Sequence, residues 1–274
     1  MTASIALAGV IGFPIAHSRS PRLHGHWLKD HGIAGHYVPL QVAPKDLAAT
    51  LDLLPRIGFR GVNVTLPHKE AVMTLAAETT EEARRVGAAN TLLFKDNGFL
   101  ADNTDVYGFA SNILAQVPAW QPRVAAVIGS GGASRAVLVA LLDRGVAEVR
   151  LTNRTSERAT RLAEEFGSRI RPIPWDSRSE MLAGCDTLIN ATALGMTGKP
   201  PLDLCLDSLP STAVVSDLVY SPLETPLLAA ARTRGNKVVD GLGMLLHQAV
   251  PGFEYWFGLR PKVDLALRNA VLAQ

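Results

Sequence analysis

Hydrophobic and polar positions along the chain alternate between short apolar runs and longer segments with a helical period. The runs are rich in β-branched residues and predict buried strands, whereas the segments between them predict amphipathic helices. The predicted strands are Ile5–Ile11, Tyr37–Val42, Gly61–Thr65, Thr91–Lys95, Phe99–Ala101, Val124–Ile128, Val149–Thr152, Arg169–Ile173, Thr187–Asn190, Val214–Leu218 and Lys237–Asp240. Strands that alternate with helices in this way are typical of an α/β fold.

Start and stop signals place the helices. Ser20 is expected to be an N-cap, with Pro21 at the first helical position. Pro67 is expected to open a helix that runs to Ala76, so that Lys69 lies one turn inside it. The other predicted helices are Pro44–Leu54, Thr80–Val86, Asp105–Gln116, a helix from Ala133 that closes at Gly145, Met244–Phe257 and Val263–Leu272.

Three glycine- or proline-containing segments indicate the type of the first sheet and the domain organisation. Asn97-Gly98 lies between two strand patterns and predicts a hairpin, which makes the first sheet mixed. The segment Pro118–Pro122 reads as a linker, and the Gly241–Gly243 segment interrupts the later strand–helix alternation. We therefore expect an N-terminal α/β substrate domain (1–104 plus 241–274), to which the closing helices return, a Rossmann-type domain (105–240), and a cleft between them.

The composition excludes several classes of protein. The 274 residues are 47% hydrophobic and 19% charged, with a formal net charge of +2. No basic run indicates nucleic-acid binding, no apolar run reaches membrane-spanning length, and no His, Cys or carboxylate spacing suits a metal. Residues 1–11 lack a basic n-region, so no signal peptide is expected. Cys185 and Cys205 are expected to be buried free thiols in a reducing cytoplasm.

The stretch VAAVIGSGGASR, residues 124–135, carries the strongest chemical signal. A strand, a glycine turn and a helix start present free backbone N–H groups to a pyrophosphate. A side chain at Gly129 or Gly131 would obstruct the turn or the phosphate, and Ser134 replaces the third glycine of the dinucleotide fingerprint. A plain strand-to-helix connection is the alternative, since glycine-rich turns are common.

The next strand ends at Asn153-Arg154-Thr155, and Arg158 follows one helical turn later. NAD-binding proteins usually carry an acidic residue at this point. Guanidinium and hydroxyl groups instead suit a 2′-phosphate, so NADP is the expected cofactor. A solvated helix start is the alternative, although cations there oppose the helix dipole.

Two further strand ends carry polar groups. Lys69 follows one strand and Asp105 another, and together they could transfer a proton to a carbonyl oxygen while a nicotinamide cofactor delivers hydride. Ser18 and Ser20 place two hydroxyls at a helix start, which suits a carboxylate. The alternatives are a solvated lysine, a capping aspartate and a capping serine.

In chain order, several motifs together resemble shikimate dehydrogenase: SRSP, NVTLPHKE, GAANTL, DNTDVYGF, GSGGASRA, NRT, INATALGM, DLVYSP and DGLGMLLHQA. The resemblance extends from Gly9 to about Gln248. It implies NADPH-dependent reduction of 3-dehydroshikimate to shikimate, on the way to aromatic amino acids, in a cytoplasmic enzyme. The substrate is a small molecule, and a monomer and a homodimer are both open.

The resemblance also implies individual roles. Lys69 would be the catalytic acid/base, with Asp105 as its partner. Ser18 and Ser20 would bind the substrate carboxylate, with Tyr220 closing over it. The ring hydroxyls would be held by Thr65, Asn90, Asp105 and Gln248. The cofactor would contact Gly129, Ser130, Gly131, Gly132, Ala133, Asn153, Arg154, Thr155, Arg158, Leu218 and Gly241.

Two alternatives remain at this point. One is a broader quinate/shikimate dehydrogenase that uses NAD or NADP, against which the Arg154/Arg158 pair argues. The other is an inactive, nucleotide-binding regulatory homologue, which needs a broken catalytic pair or an added DNA-binding segment that the sequence does not contain.

Overall fold

The computed structural model describes residues 5–273. The prediction that residues 1–11 form no signal peptide falls partly on Met1–Ser4, which lie outside the described residues. The strands are β1 (Ala6–Gly12), β2 (Gly35–Gln41), β3 (Phe59–Val64), β4 (Glu78–Thr79), β5 (Thr91–Lys95), β6 (Gly98–Asp102), β7 (Val124–Ile128), β8 (Glu148–Thr152), β9 (Ile170–Ile173), β10 (Thr187–Asn190), β11 (Val214–Asp217) and β12 (Lys237–Val239).

The helices lie between these strands, as expected of an α/β fold. They are α1 (Ser20–Asp30), α2 (Leu47–Arg56), α3 (Ala71–Leu75), α4 (Glu81–Val86), α5 (Asp105–Gln116), α6 (Gly132–Asp143), α7 (Ser156–Phe166), α8 (Pro226–Thr233), α9 (Gly241–Phe257) and α10 (Leu265–Leu272). No helix within residues 5–273 has the length and apolarity that a membrane span requires.

The chain divides into two compact units, Met1–Gly108 with Leu245–Gln274, and Phe109–Met244. In the first unit the strand order is β2-β1-β3-β5-β6-β4. The strands β1, β2 and β3 are parallel, whereas β5 is antiparallel to both β3 and β6. The mixed sheet and the hairpin at Asn97-Gly98 are thereby confirmed.

The sheet of the second unit is parallel throughout, in the order β12-β11-β10-β7-β8-β9. Read from β9, this is the Rossmann order, and the direction of winding reverses between β7 and β10. Ligands in such sheets bind outside the carboxyl ends of the strands at this reversal. Those ends are Ile128 and Asn190, and both residues are fully buried.

The expected helix from Pro67 to Ala76 is wrong, because α3 begins only at Ala71. Lys69 instead lies in the turns before the helix. Its backbone carbonyl accepts a hydrogen bond from the Ala89 amide at 2.8 Å, so that carbonyl serves a long-range contact. Similarly, the predicted helix Pro44–Leu54 begins as a short 3₁₀ turn, Pro44–Asp46, before α2.

Ser20 is not an N-cap: α1 begins at Ser20, and Arg19 occupies the cap position without a side-chain bond. The backbone amide of Ser20 donates to the Ser18 hydroxyl at 3.3 Å, so the capping-type contact lies two residues earlier. At the C-terminus, α10 begins at Leu265 because the Asp264 carboxylate accepts from the Leu267 amide at 2.9 Å.

The predicted helix start at Met244 is wrong, because the Gly241–Gly243 segment forms the first turn of α9. The strand–helix alternation does end there, since α9 is followed by α10 with no strand between them. These glycines permit close approach, since a Cβ on Gly243 would lie 1.8 Å from Oδ1 of Asn112. Cys185 is buried as expected, but Cys205 is exposed. Its neighbours Leu202 and Leu206 face the core instead.

Candidate active site

Lys69 and Asp105 form a close ion pair in the first unit. The distance between Lys69 Nζ and Asp105 Oδ2 is 2.5 Å, and the two side chains are 17% and 9% exposed. Lys69 is held from the turn after β3, and Asp105 is the first residue of α5. The preceding His68 anchors the turn, because its buried ring nitrogen Nε2 lies 2.8 Å from the Val42 carbonyl.

Asn90 connects this pair to two other elements. Its Nδ2 donates to Asp105 Oδ1 at 2.9 Å and contacts Gln248 Oε1 at 3.1 Å. Its Oδ1 accepts from the Thr104 backbone amide at 2.7 Å. The carboxylate of Asp105 is therefore oriented by an amide on one oxygen and by the Lys69 ammonium on the other. Four residues with expected roles, Lys69, Asn90, Asp105 and Gln248, lie in one network.

Three asparagine and threonine residues that the sequence analysis did not assign support the network. Asn63 Nδ2 donates to the Asn90 carbonyl at 3.0 Å, and Asn103 Oδ1 accepts from the Asp105 amide at 3.1 Å. All three of Asn63, Asn103 and Thr104 are buried. In the sequence, these residues could have been found as polar residues inside an apolar strand pattern or directly at its end.

The other residues expected to bind substrate lie directly after β3, at the start of α1, or in the second unit. Thr65 follows β3, and its amide donates to the Ile11 carbonyl at 3.0 Å. Ser18 is partly exposed, and Ser20 is buried. Burial raises the pKa of Tyr37 well above its usual value, and a hydrogen bond with Ser20 opposes this. Tyr220 belongs to the second unit, at the end of the segment after β11.

In the second unit, a cavity of about 390 Å³ opens at the carboxyl ends of the strands. It is lined by Gly129, Ser130, Gly131, Asn153, Arg154, Trp175, Ala191, Thr192, Ala193, Leu194, Lys199 and Pro200. The cavity brings together five of the residues expected at the cofactor. Gly132, Ala133, Thr155 and Arg158 do not line it, and Arg158 is exposed in the first turn of α7.

Gly129 and Gly131 differ in why the chain needs them. Gly129 has a φ of +110°, and a Cβ there would lie 2.8 Å from Thr192 Cγ2 and 2.9 Å from the Ala191 carbonyl oxygen. A Cβ on Gly131 would meet nothing within 4 Å. The turn therefore requires glycine at position 129, whereas the space around Gly131 is open, which leaves the approach of a phosphate as the reason for a glycine there.

The cavity suits a phosphorylated nucleotide. The first amides of a helix have no partner within it, and α6 begins at Gly132 on the cavity's rim. Ser134, at the third glycine position, is fully buried within α6, which requires a small side chain. Arg154 and Lys199 supply positive charge, and no acidic residue belongs to the lining.

A buried carboxylate orders the loop after β10. Asp217 accepts from Asn190 Nδ2 at 2.9 Å and from the Thr225 hydroxyl at 2.7 Å. Burial raises the pKa of Asp217 above its usual value, and these bonds oppose the shift. Asn190 in turn accepts from the Thr192 hydroxyl at 2.7 Å, so the cavity wall is fixed to the sheet.

Leu218 and Gly241, expected near the nicotinamide, lie against each other. A Cβ on Gly241 would lie 2.2 Å from the Leu218 carbonyl oxygen, so only glycine fits this contact. Within residues 5–273, no group of three or more His, Cys, Asp or Glu side chains is arranged to hold a metal ion.

Three family models match the chain along most of its length. The shikimate dehydrogenase substrate binding domain matches residues 10–92, shikimate / quinate 5-dehydrogenase matches residues 112–196, and the shikimate 5′-dehydrogenase C-terminal domain matches residues 241–268. A relative from Paracoccus denitrificans, named shikimate dehydrogenase (NADP(+)), is 57% identical over 97% of this chain and 96% of its own. The chain belongs to the shikimate dehydrogenase family. The resemblance found in the motifs is thus confirmed.

Solved structures of this family share the whole fold. Shikimate 5-dehydrogenase from Thermus thermophilus, in complex with NADP(H) and shikimate, is 37% identical over 97% of this chain and 98% of its own, with a TM-score of 0.87. Quinate dehydrogenase from Corynebacterium glutamicum, in complex with NAD, is 32% identical over 98% and 99%, with a TM-score of 0.91. The two-domain fold with a Rossmann-type sheet is confirmed.

Proposed function

We propose that the chain interconverts shikimate and 3-dehydroshikimate with NADP. The Lys69–Asp105 pair carries this proposal, because an ammonium and a carboxylate that can orient it lie together in a mostly buried site of the first unit. Residues 1–104 with 241–274 bind the substrate in this proposal, and residues 105–240 bind the cofactor. Membership of the shikimate dehydrogenase family supports both assignments.

NADPH, when bound, would supply the hydride for reduction, and NADP⁺ would accept it in oxidation. During reduction the carbonyl oxygen gains negative charge, and the Lys69 ammonium donates a proton to it. An ammonium at this position stabilises the transition state more than the ground state. Asp105 orients the amine through Oδ2 and accepts a hydrogen bond from a substrate hydroxyl. In oxidation, the neutral amine of Lys69 takes the hydroxyl proton back.

Neutral hydrogen-bonding groups hold the rest of the substrate. The hydroxyls of Ser18 and Ser20 bind the carboxylate, and Tyr220 is a further substrate-binding residue in this proposal. Thr65, Asn90 and Gln248 hold the ring hydroxyls. Asn90 and Gln248 are already hydrogen-bonded to each other, so their amides are oriented before the substrate arrives.

The glycine loop and the start of α6 hold the pyrophosphate, through Gly129, Ser130, Gly131, Gly132 and Ala133. Arg154 would contact the 2′-phosphate, and Asn153, Thr155 and Arg158 would lie at the adenosine end. An NAD-specific enzyme would need an acidic group here for the ribose hydroxyls. Leu218 and Gly241 would line the nicotinamide pocket. In the cell, reduction to shikimate serves aromatic amino acid biosynthesis in the cytoplasm.

Lys69→Met keeps the aliphatic stem and removes the charge. We expect turnover to fall on the order of 10²- to 10⁴-fold, the usual contribution of one positioned acid or base group. The affinity for NADP, measured by calorimetry, should be nearly unchanged, because the cofactor residues lie in the other unit.

A matched control removes a second lysine–carboxylate pair from the same unit. Lys95 Nζ lies 2.7 Å from Glu78 Oε2, but both side chains are exposed. Lys95→Met should therefore keep wild-type turnover. A Lys69→Met enzyme that retains most of its turnover would overturn the acid/base assignment. An equal loss of turnover in Lys69→Met and Lys95→Met would also contradict it, because the loss would not be specific to Lys69.

A further inference from the structure

The cofactor cavity contains a second cation that the family resemblance does not assign. Lys199 lines the same cavity as Arg154, and both side chains are exposed to it. Neither forms an ion pair with any residue in the range 5–273. Two unpaired cations in one cavity without an acidic residue in its lining create a site for an anion of more than one charge.

The backbone that carries Lys199 is held in place. Its amide donates to the Met196 carbonyl at 2.9 Å, and the Thr197 amide donates to the Ser221 carbonyl at 2.7 Å. The Gly195 amide donates to the Pro200 carbonyl at 2.7 Å, which closes the loop around the lysine. Lys199 is thus presented from a fixed turn, so little backbone ordering is needed when an anion binds.

The loop that carries Lys199 extends from β10 toward the side of the sheet on which Arg154 lies. The loop leaves β10 and then reaches the segment after β9, where Arg178 Nη2 lies 2.8 Å from Asp203 Oδ2. Arg178 also stacks on Trp175, at 5.0 Å from the ring centroid, and Trp175 lines the cavity. The strand β8, which ends before Arg154, lies next to β9, so the far end of this loop is anchored on the Arg154 side of the sheet.

We infer that Lys199 is a second cation for the cofactor's 2′-phosphate, acting with Arg154 as a specificity-determining residue for NADP over NAD. The inference rests on the proposed function, because it concerns the same cofactor. A 2′-phosphate offers three acceptor oxygens, so an ammonium and a guanidinium can bind it together.

Lys199→Gln tests the inference, because it removes the charge and keeps a polar side chain of similar reach. Calorimetry would measure dissociation constants for NADP, NAD, adenosine 2′,5′-bisphosphate and 5′-AMP. We expect roughly two- to fivefold weaker binding of the two 2′-phosphorylated ligands, as for one exposed charge pair, and no change for the others. Lys199→Arg should keep the wild-type constants. The loss should shrink at high salt.

Lys237→Gln is the matched control, since Lys237 is an exposed lysine on β12, at the opposite edge of the same sheet. Unchanged NADP binding in Lys199→Gln, or equal losses for NADP and NAD, would overturn the inference. The adenosine bisphosphate constants do not depend on turnover. A wild-type enzyme that binds this probe but does not oxidise shikimate with NADP would instead contradict the proposed function alone.

Discussion

At the scale of single residues, the candidate site depends on how few degrees of freedom its polar groups retain. The side-chain nitrogen of Asn90 donates hydrogen bonds to Asp105 and Gln248, and its side-chain oxygen accepts one from the Thr104 amide. Asn63 fixes the Asn90 backbone, and the Tyr37 hydroxyl donates to Asn63 Oδ1 at 2.6 Å. Because buried polar groups with satisfied bonds are rigid, the Asp105 carboxylate has one orientation toward Lys69.

Ser18 and Ser20 are expected to govern substrate affinity rather than chemistry. Either Ser18→Ala or Ser20→Ala should raise the Michaelis constant for shikimate more than it lowers turnover, because a neutral donor to the carboxylate is lost in ground and transition states alike. Steady-state kinetics with shikimate checks this. A collapse of turnover with unchanged shikimate binding by calorimetry would contradict the carboxylate assignment.

The burial of His24 makes the stability of the first unit sensitive to acid. Its ring is fully buried and stacks on Tyr37 with centroids 3.9 Å apart, and burial lowers its pKa to about 3. Below its ordinary pKa of 6.5, the unfolded state takes up a proton that the folded state does not. The free energy of unfolding must therefore fall as the pH falls from 6.5 toward 3.

His24→Phe removes this proton uptake and keeps an aromatic ring. Between pH 7 and pH 5, the wild type should lose about 2 kcal/mol more unfolding free energy than the variant, from about 1.4 kcal/mol per pH unit below the ordinary pKa. Urea unfolding at the two pH values measures the difference. Parallel behaviour of the two proteins would contradict it, and the exposed His36→Gln should follow the wild type.

At the scale of elements, local signals predicted strands and most helices well. The glycine-loop strand β7 and helix α5 have the expected bounds, because apolar runs and polar caps are local features. The helix from Pro67 and the helix start at Met244 were wrong for a shared reason. Long-range contacts decide both: Ala89 binds the Lys69 carbonyl, and Asn112 packs on Gly243.

The glycine loop allows a paired test of element geometry. Gly129→Ala should lower the melting temperature, because a Cβ would strain a left-handed residue at a cost of about 1–3 kcal/mol and contact Thr192. Gly131→Ala should leave the melting temperature unchanged, since a Cβ there meets nothing within 4 Å, and weaken NADP binding, since the proposed cofactor would use that space. Equal effects of the two substitutions on stability would contradict this account of the loop.

At the scale of the whole molecule, the order of motifs predicted more than any single residue did. The Rossmann type of the second domain followed from its strand–glycine turn–helix stretch, and the mixed sheet of the first from the alternation of elements with one hairpin. The family followed from the motif series. Residues whose roles depend on tertiary packing could not be predicted. Asn63 supports Asn90 only because β3 and β5 are neighbours, and Lys199 reaches the cavity only through the course of its loop.

The central claim is tested most directly by one panel of initial rates, in which shikimate and quinate are each oxidised with NADP and with NAD. The absorbance of the reduced nicotinamide reports every rate. The account predicts that shikimate with NADP has by far the highest turnover per Michaelis constant, because Arg154 and Arg158 replace the acidic residue of NAD enzymes. A preference for quinate or for NAD, or the absence of turnover in all four reactions, would contradict it.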